Sequence, residues 1–335
     1  MRKSFKIGVV GIGMVGKEVM NYFISQGYER GKNLFCYDND SQKNFSDDPR
    51  QANIIFVCVP TPSNPDGSCN TKIVESVIKK FSNPDKNKVF VVKSTIEPGT
   101  TEKLQQQVDC PIIFNPEFLT ESQAREDFIR PDRQLVAHTE KSLGQASLVL
   151  NLLPQAYFSS PGALDAYNFV GLNASEAEFG KYAANIFGAM KVTFGNIFAD
   201  FCAGLEKTLV KEGLKVKIDY DNVRKAFAHD RRIGDAWLDV RHGNYRGFGG
   251  YCFPKDLNAF IAFGRKLEKK LTKKDKEKIL IAKGLAFLEA IRDYNITLLK
   301  SQNLDLNELI GHNHQEVAKS KNAGKSISTK NRKPK

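Results

Sequence analysis

The stretch Lys6-Ile7-Gly8-Val9-Val10-Gly11-Ile12-Gly13-Met14-Val15-Gly16 decides the fold of this 335-residue chain. A short β-branched run enters G-x-G-x-x-G, and a helical pattern follows with Val15, Val19, Tyr22 and Phe23. Strand, glycine turn and helix in that order form a dinucleotide-binding fingerprint. Gly11 makes the turn, Gly13 lets a pyrophosphate approach, and Gly16 lets helix and strand pack closely, so that phosphates rest on the helix N-terminus. Residues 33–37 read as a second strand ending at Asp38, 22 residues after Gly16. A carboxylate there suits a ribose 2′-hydroxyl and repels a 2′-phosphate, which favours NAD over NADP.

Working outward, further strands follow at parallel-sheet spacing: 54–59, 89–93, Ile112–Phe114 and 134–137. Helical stretches such as Lys72–Phe81 and 101–108 separate several of them. The fold class expected is therefore α/β, with an N-terminal Rossmann-like doubly wound parallel sheet over residues 1–168. Each strand runs into polar or turn residues: Pro60-Thr61-Pro62, Ser94-Thr95, then Asn115-Pro116-Glu117-Phe118-Leu119-Thr120-Glu121. In such a sheet these ends meet at the carboxyl edge, so Thr95, Glu117 and Glu121 are predicted to face the nicotinamide crevice. Taken singly, each also reads as a cap or turn residue; their common edge is what raises the functional reading.

From Ser175 the chain turns strongly helical, with Ser175 and Glu178 matching a capping box. Apolar residues recur at helical spacing to beyond Leu205, about 35 residues without a breaker, longer than an ordinary globular helix. Such a helix suits a domain connector or a homodimer core. Lys181 and Asn185 share one face with the small residues Ala184 and Gly188, although two polar residues on a wet face is an equal reading of that pair alone. Further on stands Gly247-Phe248-Gly249-Gly250-Tyr251-Cys252-Phe253-Pro254-Lys255-Asp256. A helix starting near Pro254 would hold Cys252 at its positive end, which favours thiolate, with Asp256 one turn on. The plainer reading is a small buried cysteine in a glycine-rich turn. Residues 257–271 and 278–299 read as amphipathic helices, so an all-helical domain is expected over 169–300. After Ser301 the pattern fades, and a basic, disordered tail is expected over 301–335.

The bulk properties set limits. No apolar run reaches membrane-span length, and the six cysteines (36, 58, 69, 110, 202, 252) are scattered without a C-x-x-C pair. That argues for a reducing cytoplasm and against disulfides or structural zinc. Of the net charge of +12, a surplus of +10 lies in residues 265–335, which hold 18 Lys/Arg against 8 Asp/Glu. A solvated helix face with a loose end is preferred to nucleic-acid contact as the reason.

These motifs, in this order over roughly residues 5 to 295, resemble the UDP-glucose/GDP-mannose dehydrogenase family. The likeness rests on residues 11–16 with Asp38, residues 59–62, Lys93-Ser94-Thr95 with Pro98-Gly99-Thr100-Thr101, residues 115–121, Lys181 with Asn185, Arg232-Ile233-Gly234, and residues 247–256. It implies a four-electron oxidation of a sugar C6 alcohol to a carboxylate with two NAD in succession. Catalysis would involve Cys252 as nucleophile, Lys181 and Asn185 at the oxyanion, Asp256 with a water as base, Glu121 with Thr95 at the hydrolytic water, and Glu117 in acid–base work. The nucleotide-sugar substrate, UDP-glucose before GDP-mannose, would be held by Glu117, Phe118, Leu119, Lys181, Asn185, Phe248 and Gly249. Arg232 would reach the partner subunit's sugar site, so a homodimer is implied. NAD would be held by Gly11, Gly13, Met14, Val15, Gly16, Asp38 and Lys43, and further along by Pro60, Thr61, Thr95 and Glu121. Family members continue after the second helical segment into a further Rossmann-like domain. Nothing of that kind follows Leu299, so the alternative expectation is a non-catalytic binding protein, or half of a split enzyme completed by a separate chain.

Overall fold

The run Ile7–Val10 (β1) is buried along its whole length, as a central strand covered on both faces must be. In the computed structural model, which describes residues 5–82, 88–156, 167–241, 243–311 and 314–328, β1 lies between β2 (Leu34–Tyr37) and β3 (Ile54–Val57), parallel to both. Helix α1 (Met14–Ser25) follows β1, and α2 (Lys72–Phe81) leads to β4 (Val89–Val92). Then come α3 (Thr100–Gln105), β5 (Ile112–Phe114), α4 (Ala124–Ile129), β6 (Arg133–Leu135), β7 (Ala137–His138), α5 (Leu143–Leu152) and β8 (Tyr167–Phe169). The main sheet runs β2-β1-β3-β4-β5-β7. Alternate residues feed two cores: Ile7, Val9, Ile54, Phe56 and Val91 on one face, Val10, Ile55, Val57, Phe90 and Val92 on the other. That doubly covered α/β sheet is the expected one, and the strand order reverses between β1 and β3, where such folds open a crevice at the carboxyl edge.

The expected strand at 134–137 is a correction. Its first part belongs to β6, which pairs with β8 in a separate two-stranded sheet, while β7 lies antiparallel on β5. The Asn115 amide donates to Gln134 Oε1 (2.8 Å) and Leu135 O (2.6 Å), and Gln134 Nε2 donates to Pro154 O (2.8 Å). These bonds hold residues 134 and 135 to the loop after β5 instead of to the ladder.

Two compact units make up the chain, residues 1–65 with 69–182 and residues 66–68 with 183–335. The division falls inside helix α6 (Ala174–Lys211, 38 residues) and not at the expected 168/169. The first turns of α6 belong to the first unit because Ala174 and Ala177 are buried in the second of its two cores. The N-terminal box is also displaced from the expected Ser175/Glu178 pair. Asn173 N–H donates to Glu176 Oε2 (2.8 Å) and Glu176 N–H donates to Asn173 Oδ1 (3.0 Å). Glu178 is fully buried and is taken by α3, where it accepts from Gly99 N–H (2.5 Å), Thr101 N–H (2.9 Å) and Thr101 Oγ1 (2.6 Å).

Burial raises the Glu178 carboxyl to about 7 against the lowering effect of those bonds. The native state therefore holds a proton that the unfolded chain releases at ordinary glutamate values, so this contribution to stability falls as pH rises from about 4.5 to about 7. Glu178→Gln should lower stability by about 1–3 kcal/mol, because an amide NH2 faces N–H donors that need an acceptor. It should also flatten the slope in that pH window. Thermal unfolding between pH 5 and 8 measures both, and an unchanged slope would refute the assignment.

The second unit is helical: the remainder of α6, then α7 (Tyr220–Ala228), α8 (Cys252–Lys270), α9 (Glu277–Ser301) and α10 (His314–Ser328). Of the helices in the described residues, α6 alone is long and apolar enough on average to cross a membrane, an exception to the expectation that no run qualifies. The tail is a second correction. Beyond α9 the chain forms a short 3-10 turn at Leu306–Leu309 and then α10, and Leu304, Leu309 and Ala318 pack with Tyr245 and Leu299. A few well-spaced leucines among Asn and Asp suffice to anchor this largely exposed segment; residues 312–313 and 329–335 of the expected tail lie outside the described residues.

Candidate active site

The first unit presents a dinucleotide cradle at the end of β1. Gly11 has φ +89°, and a β-carbon there would press on the Cys58 backbone. A side chain at Gly16 would drive into the Gly11 carbonyl oxygen, which is why helix and strand can approach only with glycine at both positions. Above Gly13, by contrast, there is open space, and Gly13 precedes Met14 and Val15 at the start of α1 without a side-chain cap. Asp38, at the end of β2, accepts from Ile12 N–H (2.6 Å), Asp40 N–H (2.9 Å) and Lys43 Nζ (3.0 Å). Burial pushes the Asp38 carboxyl up, but these bonds and the Lys43 charge outweigh it and hold the group below its ordinary value. Open room at Gly13, a free helix start and a fixed carboxylate fit the phosphates and ribose of NAD. Across the crevice, Pro60 is exposed, and the Thr61 hydroxyl is spent on Thr95 O (2.7 Å), tying the ends of β3 and β4 together.

Next along the same edge is a buried charge cluster. Glu117 Oε1 accepts from Lys181 Nζ (3.2 Å), and its Oε2 accepts from Leu119 N–H (2.7 Å). Both side chains are nearly enclosed, 10% and 4% exposed, so the pair is not a screened surface contact. Burial pushes Glu117 up, but the Lys181 charge, the Leu119 bond and Lys93 hold it below its ordinary value. Phe118 lies between cations, with Arg133 at 3.7 Å and Lys181 at 5.1 Å from its ring centre. Lys93, at the end of β4, is fully desolvated, which lowers its ammonium to about 8. It donates to Asn115 Oδ1 (2.7 Å) and thereby fixes the start of the loop that carries Glu117. Glu121 is exposed on that loop at the start of a 3-10 turn, while Thr95 is half-buried.

In the second unit, helix α8 starts at Cys252 itself, two residues earlier than expected. Pro254 is tolerated at the third helical position because that N–H has no intrahelical acceptor. Cys252 is half-buried at the positive end of α8. One turn on, Asp256 is buried, accepts from Asn185 Nδ2 (2.5 Å) and pairs with Lys255. Gly188, one turn beyond Ala184, leaves the space that the Phe253 ring fills; a β-carbon there would meet Phe253 Cζ at 2.5 Å. Phe248 is buried and Gly249 half-buried in the loop before Cys252. Arg232 is 84% exposed and bonds Asp230.

The predicted pair Lys181 and Asn185 thus stands one turn apart on α6 with separate acceptors, Glu117 for the first and Asp256 for the second. Sequence reasoning missed Lys93 and Lys255 as partners of Asn115 and Asp256, and Glu178 as the acceptor at the start of α3. A lysine closing the apolar run Val-Phe-Val-Val was the available signal for Lys93; nothing local marked the other two.

A glycine cradle and a fixed carboxylate at the carboxyl edge of a doubly wound sheet mark the first unit as a dinucleotide-binding fold. Residues 40–150 match the NAD binding domain of the UDP-glucose/GDP-mannose dehydrogenase family, and residues 175–276 match its central domain. The chain belongs to that family and carries its NAD-binding domain. It is 29% identical over 293 residues to a putative UDP-glucose 6-dehydrogenase of Bacillus subtilis, covering 76% of this chain and 62% of the relative. It is 32% identical over 222 residues to the UDP-glucose 6-dehydrogenase of Pseudomonas aeruginosa, covering 63% and 44%. The structure of a UDP-glucose dehydrogenase from Pyrobaculum islandicum superposes with a TM-score of 0.64 at 27% identity, over 89% of this chain and 71% of that one. The chain therefore spans about half the length of the curated relatives it matches.

Proposed function

We propose that this protein oxidises the C6 alcohol of a nucleotide sugar to the carboxylate through a thioester on Cys252, with UDP-glucose the preferred substrate and GDP-mannose the alternative to it. The observation that carries the reading is the α8 start: a half-buried thiol at the positive helix end, with a buried Asp256 held one turn away by Asn185 and Lys255. NAD would be held by the Gly11–Gly16 turn and Asp38 and would supply the hydride acceptor for both oxidations. Asp256, through a water, takes the alcohol proton as the first hydride leaves C6. Cys252 Sγ then adds to the aldehyde carbon, and Asn185 and Lys181 steady the oxygen of the thiohemiacetal. Loss of the second hydride leaves a thioester; water placed by Glu121 and Thr95 adds to it, the C–S bond breaks, and the thiol is restored. Glu117, paired with Lys181, serves as the second carboxylate of the proton transfers. Net, one alcohol, one water and two NAD⁺ give one carboxylate, two NADH and three protons.

A homodimer through α6 belongs to this reading, supported by the exposed stripe Phe187, Phe194, Phe198, Phe201 and Leu205, with Arg232 reaching the partner's sugar. The six free cysteines support a reducing, cytoplasmic setting. The test is NADH formation at 340 nm with UDP-glucose, GDP-mannose and UDP-N-acetylhexosamines. About two NADH per sugar is expected for one of them, given the two oxidations above. No NADH across the panel, with NAD binding intact, would overturn it.

A further inference from the structure

The loop that delivers Cys252 is held from behind by α9 and the chain beyond it. Gly247 and Gly250 both take positive φ, +94° and +74°, conformations open to glycine without strain and therefore not fixed by the loop itself. Every second residue is anchored. Arg246 N–H donates to Gln302 Oε1 (2.8 Å), and Gln302 Nε2 returns a bond to Arg246 O (3.0 Å). Phe248 N–H donates to Asn295 Oδ1 (2.8 Å), with Asn295 Nδ2 bonded to Phe248 O (2.9 Å). Gly250 N–H donates to Leu309 O (2.9 Å), and Leu309 is fully buried. Helix α10 adds a third layer: the Tyr245 hydroxyl and His314 Nδ1 share a hydrogen bond (2.7 Å), while Gln315 takes Asn244 N–H on its Oε1 (2.7 Å) and Asn244 Nδ2 on its backbone oxygen (2.9 Å). A β-carbon at Gly249 would collide with the Tyr245 hydroxyl and press on Leu309, so the loop lies flat on this support.

We propose that Gln302, Leu309, His314 and Gln315 are positioning residues that fix the loop of residues 244–250 and so set where Cys252 begins α8. This rests on the reading of Cys252 as nucleophile. A loop with two left-handed glycines has little local preference of its own, so its conformation is decided by these partners.

The test uses the full chain and the double variant His314→Ala/Gln315→Ala, whose side chains are only half-buried, with Leu309→Ala as a second variant. Amide hydrogen exchange over residues 246–251 should quicken roughly tenfold or more, while exchange in β1, β3 and β4 stays unchanged. KM for the nucleotide sugar should rise, or kcat fall, so that kcat/KM drops about tenfold with KM for NAD unmoved. Iodoacetamide labelling of Cys252 should change in step with the exchange. Unaltered exchange over 246–251 in both variants would overturn the proposal, as would faster exchange with unaltered sugar kinetics. If the parent chain makes no NADH, the dehydrogenase reading fails by itself, and exchange with Cys252 labelling still decides whether the support sets the loop.

Discussion

Cys252→Ala is expected to cut NADH formation from the nucleotide sugar by on the order of a thousandfold or more, as loss of a covalent nucleophile does in enzymes whose groups act together. The fold should be indifferent to the change. Alanine is a better helix former than cysteine, the side chain is half-buried at the first position of α8, and the hydrogen bonds fixing the preceding loop come from other residues. Thermal unfolding within a degree or two of the parent, with NAD binding retained, would show that the chemistry alone was removed. Cys252→Ser, which keeps a weaker nucleophile in the same place, should be nearly as slow. Steady-state rates within tenfold of the parent for the alanine variant would remove Cys252 from the reaction.

Lys181→Met should be the most destabilising single change among the site residues. It deletes the cation at 3.2 Å from Glu117 and leaves that carboxylate enclosed, a situation that costs about 3–5 kcal/mol. The double variant Lys181→Met/Glu117→Gln should recover most of the loss, because it removes the stranded charge as well as its partner. The pH dependence follows from the direction of the shift. With Lys181 present, Glu117 ionises below its ordinary value despite burial. Its contribution is therefore complete above the unfolded glutamate value of about 4.3 and is lost as pH falls through the lower native value. Without Lys181, burial is opposed chiefly by Leu119 N–H and Lys93, so the deficit of the single variant should shrink as the pH is lowered toward 5. Denaturant unfolding at pH 5 and pH 8 measures this, and equal stability of variant and parent at pH 8 would refute the pairing.

The N-terminal sheet was readable because its requirements are local. Gly11 and Gly16 are dictated by backbone contacts within one strand–turn–helix unit, and runs such as Ile-Ile-Phe-Val can only be strands buried on both faces. The expected strand at 134–137 misled for the opposite reason. Its residues are apolar enough for the sheet, but Asn115, 19 and 20 positions away, takes Gln134 and Leu135 for itself. The tail misled because sparse leucines count for little in a composition window yet bury fully when Tyr245 and Leu299 offer them a surface.

By itself the sequence determined the doubly wound sheet, the glycine cradle with Asp38 and the long helix α6, while Cys252, Asp256, Lys181, Asn185 and Glu117 entered as candidates through the family resemblance. The sheet, the cradle and the helix are matters of local backbone freedom and of hydrophobic period. Only the tertiary structure decided how these groups are paired: Lys181 with Glu117, Asn185 with Asp256, Lys93 with Asn115, Glu178 with the start of α3, and the loop at 246–250 with α9 and the chain beyond it. These partners are between 22 and 79 residues apart, as Lys93–Asn115 and Glu178–Gly99 show. A buried charge or a loop with left-handed glycines accepts whichever partner the packing of distant elements delivers, and no local rule specifies that choice.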